Sequence, residues 1–186
     1  MSPSQAQTFP DRWVDPQDDP RDRDQIEVVD ELTNLREYLR AYRLTLRLKT
    51  EGLTPEQLAT RSVPPSSMSL LGLVRHLAKV ERDWFRLRAA GHKGRRLYWS
   101  EADRDEAFTG AVGDESVVAE AFADWDREVA FADTFVREHP DLGRVYAYGD
   151  DEISMRELLL HMVEESARHC GHADLLRECV DGRTGQ

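Results

Sequence analysis

Residues 154–182 read SMRELLLHMVEESARHCGHADLLRECVDG. Ser154-Met155-Arg156-Glu157 has the spacing of a capping box, in which a serine hydroxyl and a glutamate each satisfy a free backbone N–H. Asp181-Gly182 supplies the stop. Between them Leu158, Met162, 165, 169, 172, Leu176 and Cys179 recur at threes and fours, the period of one helical stripe. Three of those stripe positions hold Glu165, His169 and His172. At about 100° per residue, His161, His172, Glu165 and His169 fall at roughly 0°, 20°, 40° and 80° around the axis. Leu158 and Leu176 both fall near 60°, so the polar groups point where the apolar ones point, into a core.

Three further amphipathic segments precede this one. Val28, Leu32, Leu35, Leu39, Tyr42 and Leu46 form a first stripe, which Gly52-Leu53-Thr54-Pro55 ends. A short turn is expected at Pro55 to Thr60, followed by the loop Val63-Pro64-Pro65-Ser66-Ser67. A second long helix is expected from about Ser69 to Ala90, with the stripe Leu73, His76, Val80, Trp84, Leu87. Residues 91 to 113 read as a long connection anchored by Leu97, Tyr98 and Trp99. A third helix spans about Asp114 to Glu138 on Val118, Phe122, Trp125, Val129, Ala132 and Val136, and His139-Pro140 ends it. A loop with Gly143 and Gly149 leads to the fourth. No segment shows a strand pattern. The fold class expected is all-α, an antiparallel four-helix bundle over residues 24–183. Pro3, Pro10, Pro16 and Pro20 mark residues 1–23 as an extended or disordered N-terminal arm.

A carboxylate buried among apolar groups costs several kcal/mol unless a cation or strong donors compensate it. Glu165 and His169 are one turn apart and can reach one point between them. A divalent ion there takes imidazole nitrogens and a carboxylate oxygen at about 2.0–2.2 Å if it is zinc. The third ligand belongs on another helix's core stripe, where His76 sits. A hydrogen-bonded core network of Glu165 with protonated His169 or His172 explains the same residues without a metal, and both readings stand here. His161 and His172 read as supporting or packing groups, His92 and His139 as surface residues. Arg168, about 20° outside the polar sector, is either a contact for a ligand carboxylate or a bundle-edge arginine.

The segments Leu70-Leu71-Gly72-Leu73-Val74-Arg75-His76-Leu77-Ala78-Lys79-Val80-Glu81-Arg82 and Leu160-His161-Met162-Val163-Glu164-Glu165-Ser166-Ala167-Arg168-His169-Cys170-Gly171-His172-Ala173-Asp174 resemble the DinB-like superfamily. Within it the chain is similar to an actinobacterial family of unknown function, over about residues 25 to 183. The resemblance implies a four-helix bundle with a divalent metal on His76, Glu165 and His169. Many members carry His-x-x-x-His on the last helix. Glu165-x-x-x-His169 departs from that and is similar to mycothiol-dependent maleylpyruvate isomerase. The resemblance therefore implies zinc or nickel, a low-molecular-weight thiol such as mycothiol as cosubstrate, and S-transfer or isomerisation of a small molecule. A non-catalytic metal-binding stress or small-molecule-binding protein would need the same ligands.

A formal charge of −11 argues against nucleic acid, whose phosphates call for clustered Lys and Arg, and against anionic membrane surfaces. No apolar run approaches the roughly 18 residues of a membrane span, and the N-terminus lacks a basic-then-apolar signal. A cytoplasmic protein is expected. Cys170 and Cys179 are about 13 Å apart along one helix, too far for a disulfide within it. A homodimer is the expected assembly, symmetric pairs being the commonest.

Overall fold

The computed structural model describes residues 13–14, 18–21 and 29–185. It is mostly helical: α1 Glu31–Thr50, α2 Pro55–Ala59, α3 Leu70–Glu81 running on as a π-helical segment Arg82–Ala89, α4 Glu106–Thr109, α5 Glu115–Glu138 and α6 Met155–Asp181. Local chemistry sets most of these limits. Asp30, Thr54, Ser69, Asp114 and Ser154 each accept a hydrogen bond from a backbone N–H of the first turn they precede. Gly182 closes α6 in the left-handed conformation (φ 77°), which glycine adopts without steric penalty. Val28 lies outside the described residues.

The α1 helix packs on α6, α3 packs on α5, and α3 also touches α6 and α1. The apolar side chains form two clusters. One gathers Leu46, Leu70, Leu71, Leu73, Val74, Trp125, Ala173 and Leu176. The other gathers Leu39, Phe85, Phe135, Met155, Leu158, Leu159 and Met162. Along α6 the second cluster ends at Met162 and the first begins at Cys170, so Glu165 and His169 fall in the gap. On α1 the same gap holds Arg43, between Leu39 and Leu46. Polar groups thus occupy a layer between two apolar halves, where they can pair with one another instead of with hydrocarbon.

Four features depart from the sequence expectations. The segment expected to be a loop contains an antiparallel hairpin, β1 Val145–Tyr148 and β2 Asp151–Ser154. Tyr146 pairs with Ile153 and both are buried, while the other β1 residues are exposed. Gly149 takes φ 64° at the first turn position, where a two-residue hairpin needs a residue free to adopt positive φ. The strands are only four residues each, too short for the alternation to stand out. The second change is at the end of α3, where Ala90 N–H donates to Phe85 O, five residues back (2.9 Å). Third, the connection 91–113 contains α4. Fourth, most of the expected arm lies outside the described residues, yet Trp13 is buried. Its ring faces Lys49 Nζ at 3.9 Å and the Arg183 guanidinium at 3.8 Å, a cation–π pair of contacts.

No helix of the described residues is long and apolar enough to cross a membrane. Cys170 is buried and donates to Tyr42 O on α1 (3.3 Å), away from the polar groups facing α3. Burial, with Asp174 nearby, pushes its thiol up to about 12. Cys179 is exposed. One thiol per chain is therefore expected to react quickly with a chromogenic disulfide reagent at pH 8, and a second only after unfolding. Two fast thiols in the folded protein would contradict this packing.

Candidate metal centre

His76 and the pair Glu165 and His169 meet across the α3–α6 contact. His76 Nε2 lies 2.9 Å from Glu165 Oε1, and His169 Nε2 lies 3.3 Å from the same oxygen. One donor atom from each of the three lies within 4.8 Å of the other two. The i, i+4 spacing on α6 stacks Glu165 beneath His169. His76 occupies the stripe position of α3 between Leu73 and Val80, which turns it toward them. Two hydrogen bonds, from His169 and then His76, hold the Glu165 carboxyl far below its usual range against the opposing effect of burial. Glu165 is therefore an anion facing two imidazoles.

This donor set fits a divalent ion. Tetrahedral ligands about 2.1 Å from zinc are separated by roughly 3.4 Å, so the observed 2.9 and 3.3 Å need only small side-chain shifts. Two nitrogens and one carboxylate oxygen suit zinc and nickel. His172 Nδ1 lies 3.2 Å from His169 Nδ1, the ring nitrogen that faces away from Glu165. Such an outer partner fixes which nitrogen of His169 is free to bind and how the ring is turned. Burial, then the proximity of His169 and Arg168, pushes the His172 imidazole below its ordinary range, which favours its neutral form. His172 thus stands behind a donor.

The other residues singled out in the sequence fall elsewhere. His161 packs its ring against Trp84 (4.6 Å). Arg168 is exposed and pairs with Glu164 one turn before it (2.8 Å). Tyr98 donates to Asp124 Oδ2 (2.8 Å) and lies under the Arg75 guanidinium (3.9 Å), which makes it an anchor of the connection. His92 is exposed, as expected. His139 is partly buried, its Nδ1–H donating to Phe135 O (2.8 Å) at the end of α5.

Sequence reading missed Phe108. Arg75 donates to Ala107 O and Glu106 O (3.0 Å each), which fastens α4 to α3 and lays the Phe108 ring against His76 (5.5 Å, stacked). Gly72, one turn before His76, leaves room for that ring: a Cβ there would stand 2.7 Å from Phe108 Cδ1. The available signal was a glycine in the middle of an apolar helix, where it costs about 0.5–1 kcal/mol relative to alanine. Gly72→Ala is expected to be destabilising, because overpacking costs about 1–3 kcal/mol and outweighs that gain. Thermal unfolding checks the sign; a higher midpoint would show that Phe108 is not seated there.

A family model described as Mycothiol-S-transferase matches residues 34–182. The chain belongs to the mycothiol-S-transferase family. This is a DinB-like family, and the match takes in His76, Glu165 and His169. A conserved protein from Enterococcus faecalis has a similar crystal structure, with a TM-score of 0.58 at 13% identity over 84% of this chain and 100% of that one. At that identity the likeness speaks to the fold alone. No curated protein matches the sequence significantly.

Proposed function

We propose that this chain is a metal-dependent S-transferase of the mycothiol-using kind, built on a DinB-type four-helix bundle. His76 Nε2, Glu165 Oε1 and His169 Nε2 would hold one zinc or nickel ion. The observation that carries the reading is the convergence of these three donors, from two helices, on one point between two apolar clusters. Three protein ligands leave a coordination position open, as catalytic sites do. A divalent ion there would supply a thiol in its thiolate form at neutral pH.

The chain's own residues prepare this. Glu165 brings negative charge that lowers the net charge of the centre. Phe108 covers one side of His76. Arg168 is the proposed contact for a carboxylate of the ligand. It need only exchange Glu164, and an exposed pair of that kind is worth about 0–1 kcal/mol. The proposal includes a cytoplasmic setting, where small thiols stay reduced, and a homodimer.

Two measurements test the reading. Elemental analysis is expected to find about one zinc or nickel ion per chain, and added mycothiol should give the Co²⁺-substituted protein a sulfur charge-transfer band in the near ultraviolet. Conjugation of mycothiol to a panel of small electrophiles should then depend on the metal. A protein that neither carries nor takes up metal would sink the centre. One that binds metal but shows no thiol band at millimolar mycothiol would favour the non-catalytic metal-binding alternative.

A further inference from the structure

Side chains of α6 and of the helix that holds His76 keep meeting beyond the three donors. On α6, His161 precedes Glu165 by one turn, about 6 Å along the axis. Trp84 stands eight residues after His76, in the π-helical segment that continues α3, and its indole packs on His161 (4.6 Å). The hairpin then lays the Tyr148 ring on Trp84, with centroids 5.2 Å apart and planes within 14°. The Arg88 guanidinium stands 4.3 Å from the Trp84 ring and 5.0 Å from that of Tyr148. Tyr148 is 41% exposed at the hairpin's end. The result is an aromatic cluster that opens to the surface at Tyr148, carries an imidazole and a guanidinium, and begins at His161, one helical turn from Glu165.

We propose that Trp84, Tyr148, Arg88 and His161 form the subsite for the non-sulfur part of the thiol cosubstrate, an assignment that rests on the thiol reading of the metal centre. The chemical class is a saturated polyhydroxylated ring. Such a ring presents C–H groups that pack flat on indole and phenol faces, and hydroxyls that take hydrogen bonds from guanidinium and imidazole. Mycothiol has that chemistry: its cysteinyl sulfur is joined through an amide to two linked polyhydroxylated rings. Five bonds separate sulfur from the first ring, a reach of about 6 Å at ordinary bond lengths. That reach matches the one-turn step from Glu165 to His161. A thiol held at the three donors would therefore place its first ring at His161 and its second along the Trp84 and Tyr148 rings beyond. The exposure of Tyr148 is the other support, since a ring needed only for the core would be covered.

The test compares mycothiol with N-acetylcysteine, which carries the sulfur without the rings, by titrating the charge-transfer band of the Co²⁺-loaded protein. The wild type should bind mycothiol at least about tenfold more tightly. Tyr148→Ala and Arg88→Ala should each remove on the order of tenfold of that advantage, the scale of one aromatic or charged contact, and leave N-acetylcysteine affinity and cobalt content unchanged. Tyr148 is exposed, so its removal leaves the fold intact, which circular dichroism verifies. Variants that keep the full advantage, or a wild type that binds both thiols alike, would overturn the subsite and leave the thiol reading standing. A wild type that binds cobalt but neither thiol would overturn both.

Discussion

His76→Ala is expected to abolish tight metal binding and leave the helical signal nearly unchanged. His76 is the one donor from α3; without it only Glu165 and His169, neighbours on α6, remain. Losing a hydrogen-bonded partner behind a ligand already costs about 10- to 100-fold in metal affinity, so the loss of a ligand should exceed that. The fold should survive, because the two apolar clusters flanking the centre contain none of the three donors. Metal analysis after exhaustive dialysis and far-ultraviolet circular dichroism make the comparison. Undiminished metal content would place the ion elsewhere. A collapse of the helical signal would make the centre structural.

Glu81→Ala should lower stability more than any change at the metal centre. Glu81 is buried on α3 and accepts two hydrogen bonds from Arg43, at 2.7 and 2.8 Å. Arg43 is also buried and has one further partner, Asp133 Oδ1 at 2.8 Å. Removing one member of a buried pair costs about 3–5 kcal/mol, because Arg43 would keep only the exposed Asp133 to offset its burial. At about 2–4 °C per kcal/mol for a chain of this size, the unfolding midpoint should fall by roughly 6–20 °C. Arg43→Leu combined with Glu81→Leu should recover most of that, since the stranded charge is gone and Asp133 can return to water. A double variant no more stable than Glu81→Ala would show that the pair itself, not the stranding, was the source.

Much of this was legible in the sequence because it is local. The start of α6 at Ser154 and its stop at Gly182 follow from a side chain and a left-handed residue within one turn of the ends. The stripes of α1, α3, α5 and α6 follow from the helical period. Glu165 and His169 stood out because carboxylate and imidazole groups on an apolar stripe need a partner, and His76 was the same anomaly on another helix. Phe108 was not legible: it stacks on His76 only because Arg75 fastens α4 to α3 and Gly72 leaves the space. The hairpin that brings Tyr148 onto Trp84 was missed for a related reason. Four-residue strands gain little alone, and this pair packs Tyr146 and Ile153 on Phe135 and its neighbours.

The sequence by itself determined the four long helices and their inward faces, the ends of the last one, and which three residues could share an ion, because backbone hydrogen bonding and periodicity act over a few residues. Only the tertiary structure decided that three donors lie within 4.8 Å, that His172 stands behind His169, and that an aromatic cluster adjoins the centre. Those relations join positions as far apart in the chain as His76 and His169, and what sets them is the packing of two apolar clusters around one polar layer.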